Sequence, residues 1–270
     1  RFSQTLFKIY ECDPISNLSF RLKRSIFSVS SQIFLIAYVT GFLWLRRNPL
    51  SLVFTAISPF SLLFILFVVS NGQYVQFAVA GSLVMALVGY GLALGQDISL
   101  YKIEYKMQDV FVDSPVSPIV YMLGLALSEI LYGLPALIVL ISLAVFFSTS
   151  IAFLPLLLLN VILIWGTMSS IGFFLSSHML HMRNATQLIS FVNVIIAVIP
   201  PVFYPISTLP DPLQLVSYFV PTTHASLMLQ YSMGFPVPDG WSIYLGLLVQ
   251  GIYFGFFMLI AKKKALWREN

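Results

Sequence analysis

The sequence predicts an all-α integral membrane protein: six transmembrane helices, an N-terminal interfacial helix and an outward-facing re-entrant helical segment. Three observations carry that expectation. Of the 270 residues, 59% are hydrophobic and only 9% charged, and the mean hydropathy is +0.92. A soluble domain is about half apolar and about a quarter charged, so this composition leaves too few charges to cover a soluble surface. Apolar runs of the length needed to cross the hydrocarbon layer, about 20 residues, recur along the chain. The basic residues, finally, are segregated between those runs.

Residues 1–24 read as a cytoplasmic N-terminal segment. They contain Lys8, Glu11, Asp13 and Arg21 and no long apolar run, which is not the pattern of a secretory leader. The single cysteine, Cys12, excludes an intramolecular disulfide. Ser25 to Leu45 is apolar but interrupted by Ser28, Ser30, Ser31, Gln32 and Thr40. It is flanked by Lys23 and Arg24 on one side and Arg46 and Arg47 on the other. Basic residues at both ends fit a helix lying in the membrane interface, with a seventh span as the competing reading.

The first clear span is 51–70, entered through Asn48-Pro49, and the second is 74–95. The third, 118–148, is long, and Pro135 is a candidate kink. The fourth covers 151–176, the fifth 185–200, and the last 241–260 is stopped by Lys262, Lys263 and Lys264. Between them, 97–113 is polar and charged. The stretch 201–240 is rich in proline and aromatics, and its apolar part dips into the membrane.

The N-terminus, the loops after the second and fourth spans, and the C-terminal tail together hold all 14 Lys and Arg residues. The stretch 201–240 holds none. The positive-inside rule then places both termini in the cytoplasm, as expected for a multi-pass protein of the cell membrane. The net charge of +4 reports this topology rather than a surface for nucleic acid.

Few residues invite chemistry. A Gly-rich phosphate loop of the Walker type is absent, so the chain is not expected to hold ATP itself. His178 and His181 are three apart, yet no third ligand is spaced to join them, and they read as a basic loop beside Arg183 rather than a metal site. Glu129 is the one acidic residue well inside a predicted span. A group at that depth either faces a substrate pathway or pairs with a neighbouring helix, and the sequence leaves both open. Gly91 and Gly95 give a small-xxx-small spacing that permits close helix approach.

Three stretches carry a resemblance to a known family. The first is Leu45-Arg46-Arg47-Asn48-Pro49 before the first span. The second is Phe111-Val112-Asp113-Ser114-Pro115-Val116-Ser117, followed by Gly124. The third runs from Phe203-Tyr204-Pro205 to Leu209-Pro210, then Leu213 and Val220-Pro221-Thr222-Thr223-His224-Ala225. Together they resemble the type-2 ABC transporter permeases, the membrane halves of ABC exporters. One departure is Tyr101 to Met107, which has two lysines and one glutamate but no glycine, where the family often has a Gly-containing, Arg- and Glu-rich stretch.

The resemblance implies a permease domain over 25–270 that pairs with a second permease chain, alike or different. It also implies separately encoded ABC ATPase subunits carrying ATP and Mg, with no cofactor or catalytic residue in this chain. By the same resemblance 97–113 would be the coupling segment, with Lys102, Glu104, Lys106 and Asp109 at the ATPase. The outward re-entrant gate would be 205–231. Glu129, Phe191, Ile195, Phe203, Tyr204 and Pro205 become candidate pathway and gate residues, and Val192 and Gly91 join Phe191 and Ile195 at an expected dimer seam. The cargo implied is amphipathic or apolar: a drug, lipid or peptide. A membrane scaffold that only docks partners, and an ion-coupled secondary transporter, are the alternative readings.

Overall fold

The computed structural model describes residues 29–72, 74–106, 111, 113, 116–147, 154–235 and 237–264. The N-terminal segment 1–24, the start of the predicted interfacial helix and Asp109 lie outside them. The described residues form helices and turns. In chain order these are α1 (Val29–Arg47) and α2 (Ser51–Val69), then α3 (Val75–Glu104) and α4 (Pro118–Phe146). They are followed by α5 (Leu154–Ser177), α6 (Met182–Val198), α7 (Asp211–Ser217), α8 (Pro221–Ser232) and α9 (Ile243–Lys264).

Local chemistry accounts for several boundaries. Ser117 accepts the Val120 N–H at the start of α4, and Pro118 occupies the first turn, where its missing N–H costs nothing. Asn71 and Gly72 adopt positive φ in the tight turn between α2 and α3. Pro59 inside α2 removes a backbone donor, and the helix bends there by 41°.

α3 is the axis of the bundle. It packs against α2, α4, α5, α6 and α8, and most of its length is buried. Small residues make this possible. A Cβ on Gly95 would stand 2.7 Å from the carbonyl oxygen of Gly172, and one on Gly91 would meet Met168 at 2.5 Å. The α3 and α5 backbones therefore approach directly, and the Gly91/Gly95 spacing serves contacts inside the bundle. This corrects the expectation that Gly91 lines a dimer seam: it is buried against α5.

Among the described residues, five helices are long and apolar enough to cross a membrane (α1, α3, α4, α5 and α9), and the bent α2 makes a sixth; α6 is a shorter apolar helix of 17 residues. Direction sorts them better than length. Along α4, Gly124 faces Ile36, Ser128 faces Gly41, and the Tyr132 ring meets Trp44 edge to face. Thr55 of α2 then bonds the Tyr132 carbonyl, and Leu63 and Phe67 lie beside Leu143 and Phe147. Thus α1 and α2 run one after the other in the same direction along a single helix, joined by a short turn at Asn48-Pro49. Two successive crossings joined so tightly would have to be antiparallel. α1 and α2 are therefore not two separate crossings, and α2, α3, α4, α5, α6 and α9 alternate in direction. α4 has 29 residues and is about 43 Å long, which exceeds the hydrocarbon layer of about 30 Å and leaves its first turns to carry α1.

The helix ends differ from the sequence expectation mainly at α3. The second span, expected at 74–95, continues without a break through Asp97 to a π-helical turn at Leu100–Glu104. The front half of the charged 97–113 segment is thus an extension of the span. α7 and α8 have 7 and 12 residues, too few to cross, and they sit between the end of α6 and the start of α9 at one face of the bundle.

Candidate functional site

The two ends of the bundle differ in chemistry. At one end α3, α5 and α9 terminate together. Lys102 donates its ammonium to the Ser177 carbonyl at 3.2 Å, and Ala261, Phe173, Leu94 and Ile98 share one apolar cluster there. Arg183, Lys262 and Lys263 belong to this end through their helices. Glu104 and Lys106 are exposed, and Lys106 turns the chain with φ of 51°.

Just inside this end lie two acids. The carboxyls of Asp97 and Glu129 hydrogen-bond each other across the α3–α4 contact. Glu129 is 5% exposed, and its Oε1 has no hydrogen-bond partner among the described residues. A hydrogen bond between two carboxyls needs a proton on one of them. Tyr101, Tyr121 and Tyr132 surround the pair, and the Tyr132 hydroxyl donates to the Thr40 carbonyl of α1. Glu129 thus faces an acid of the neighbouring helix α3. Sequence reasoning missed the partner, assigning Asp97 to a loop. The available signal was that Asp97 is a lone acid at the end of one long apolar run and Glu129 a lone acid inside the next.

The opposite end is built on α8, which is buried along nearly its whole length despite Thr222, Thr223, His224, Ser226 and Gln230. Most of its polar groups find partners, the Thr223 hydroxyl having none among the described residues. Thr222 donates to the Ile196 carbonyl at 2.6 Å, Ser226 to that of Val202 at 3.0 Å, and the Asn160 amide to that of Ala225 at 2.9 Å. Buried polar groups are tolerated only when bonded in this way. Phe203 lays its ring over Gly81 of α3, where a Cβ would come within 2.3 Å of it. Tyr204 donates its hydroxyl to the Ile199 carbonyl at 2.9 Å. Beside them a cavity of about 190 Å³ is lined by Phe77, Tyr204, Pro205, Ser207, Leu227 and Gln230. Three predicted gate residues, Phe203, Tyr204 and Pro205, therefore meet at one place.

Phe191 and Ile195 do not join either group. They lie exposed on α6, while Val192 packs inward. His178 bonds the Phe174 carbonyl at 2.9 Å, and among the described residues no three His, Cys, Asp or Glu gather as a metal site.

Long apolar helices packed around a buried axis, with basic residues gathered at one end, define a polytopic membrane protein. A family model described as ABC-2 type transporter matches residues 31–234, and the chain belongs to that family. It is an ABC transporter permease, and its family associates with ABC ATPase subunits. No curated protein matches the chain.

Proposed function

We propose that this chain is one permease half of an exporter in the plasma membrane, with both termini in the cytoplasm. It pairs with a second permease chain, alike or different. Two ABC ATPase subunits, which bind ATP and Mg, drive it, and an amphipathic or apolar substrate (drug, lipid or peptide) leaves the cytoplasm. The observation that carries this reading is the continuity of α3. One helix reaches from Gly81, under the Phe203 ring, to Glu104 at the basic end. Movement of its basic end, imposed by an ATPase seated on 97–113, is transmitted along a stiff rod to the gate.

ATP shifts such a system only through contacts that differ between its states, and the Phe203–Gly81 contact is one that rotation of α3 would change. The exposed apolar face of α6, including Phe191 and Ile195, suits a second permease chain or lipid. Glu104 and Lys106, both exposed, are the side chains offered to the ATPase, with Asp109 further along the same segment.

The test is purification in mild detergent from the native membrane, followed by ATP hydrolysis in proteoliposomes with the chain alone and with what co-purifies. The reading predicts a co-purifying ATPase that is released by the reversals Glu104→Lys and Lys106→Glu. A chain that brings down no ATPase, or keeps it through both reversals, overturns the reading.

A further inference from the structure

The Asp97–Glu129 pair joins the α3 rod to α4 at one level of the bundle. Four residues further along α4, Gly133 takes the ring of Tyr90, where a Cβ would come within 2.2 Å. Glu129 and Gly133 thus share one face of α4, turned to α3. The neighbouring face of α4 holds α1: Ser128 lies against Gly41, and Tyr132 against Thr40 and Trp44. The Tyr90–Gly133 contact is one of shape. The carboxyl pair is directional and buried, so it fixes the relative position of the two helices.

We infer that Asp97 and Glu129 are positioning residues that lock α4, and α1 with it, to the α3 extension, so that movement imposed on α3 carries α4 along. This rests on the permease reading, because it assigns to two residues the transfer of ATPase-driven movement into the membrane. The bond needs only one donor and one acceptor. An amide on either side supplies both without a shared proton, whereas an apolar side chain supplies neither.

The experiment uses the full chain with its co-purifying ATPase, in a Cys12→Ser background, with spin labels on introduced cysteines. One label pair, at Ile138 on α4 and Leu248 on α9, reports movement of α4. The other, at Tyr105 and Leu248, reports movement of the α3 tip. All three positions are exposed. Distances are measured with and without ATP and vanadate. Glu129→Gln is expected to keep both ATP-driven changes. Glu129→Leu and Asp97→Leu are expected to keep the α3 change while the α4 change falls about fivefold or more, the scale of an ordinary coupling between sites. Retention of both changes in the leucine variants overturns the inference, and so does equal loss of the α4 change in Glu129→Gln and Glu129→Leu. Melting temperatures and the Gln variant separate a lost joint from a failed fold. Failure of the unsubstituted chain to bring down an ATPase would instead fell the permease reading, and the inference with it.

Discussion

The indole N–H of Trp241 donates to Nδ1 of His224 at 3.1 Å, while Nε2 of the same ring lies 2.7 Å from the Tyr218 carbonyl. With Nδ1 accepting, Nε2 must carry the proton, so the imidazole is neutral and in one tautomer. Through it α8, the end of α7 and the approach to α9 are tied at one point.

This geometry gives a pH prediction. Burial pushes the His224 pKa below its ordinary value, with the Tyr218 bond opposing in part. A depressed folded pKa means that protonation favours the unfolded state. Stability is full above the unfolded value of about 6.5 and falls as pH drops through it toward the folded value. The melting temperature of the purified protein should therefore fall between pH 7.5 and 5.5, and His224→Gln should flatten that dependence. Parallel profiles for the two proteins would refute the tautomer assignment.

The glycines of α3 are not equivalent. A side chain at Gly91 or Gly95 meets the body of α5, including its backbone, whereas one at Gly89 meets nothing within 4 Å. Gly95→Leu should lower stability by about 1–3 kcal/mol or more, the usual cost of overpacking. Gly89→Leu should be nearly neutral. Thermal melts of the two variants decide it, and similar losses in both would contradict the packing described above.

Gly81 and Phe203 should couple. A methyl at Gly81 overlaps the Phe203 ring, which is the movable partner. Gly81→Ala should destabilise the wild-type background but much less the Phe203→Ala background. A double-mutant cycle should give an interaction energy of at least about 0.5 kcal/mol. Strict additivity would place the ring elsewhere.

Lys102 differs from its charged neighbours. Its ammonium meets the Ser177 carbonyl at the C-terminal end of α5, where a cation is favoured. Lys102→Glu should lower the melting temperature even without an ATPase present. Reversals at exposed Glu104 and Lys106 should leave it within the small range typical of surface changes, about 0.5 kcal/mol. Equal thermal effects at all three positions would count against this distinction.

How much of this was legible in the sequence depends on range. Ser117-Pro118 marks the start of α4 through contacts within four residues, and the apolar runs report solvation residue by residue. Glu129 could be flagged as a costly acid, but its partner Asp97 sits 32 positions earlier, on the far side of a charged loop. The Gly91/Gly95 spacing announced a close contact without saying with which helix. The short segments at Asp211–Ser217 and Pro221–Ser232 were visible as a proline-rich outer stretch, yet the burial of His224 depends on Trp241 arriving from the following loop.

The sequence by itself determined that the chain is a multi-pass membrane protein and that its basic residues fall between the apolar runs rather than within them. Hydropathy and charge act on each segment alone, through transfer from water to lipid. Only the tertiary structure decided that α1 and α2 run in the same direction along α4, that Gly91 faces α5, and that Asp97 reaches Glu129. Those outcomes depend on which helix faces compete for the same neighbour, and in lipid that contest is settled by close packing and hydrogen bonds between distant residues.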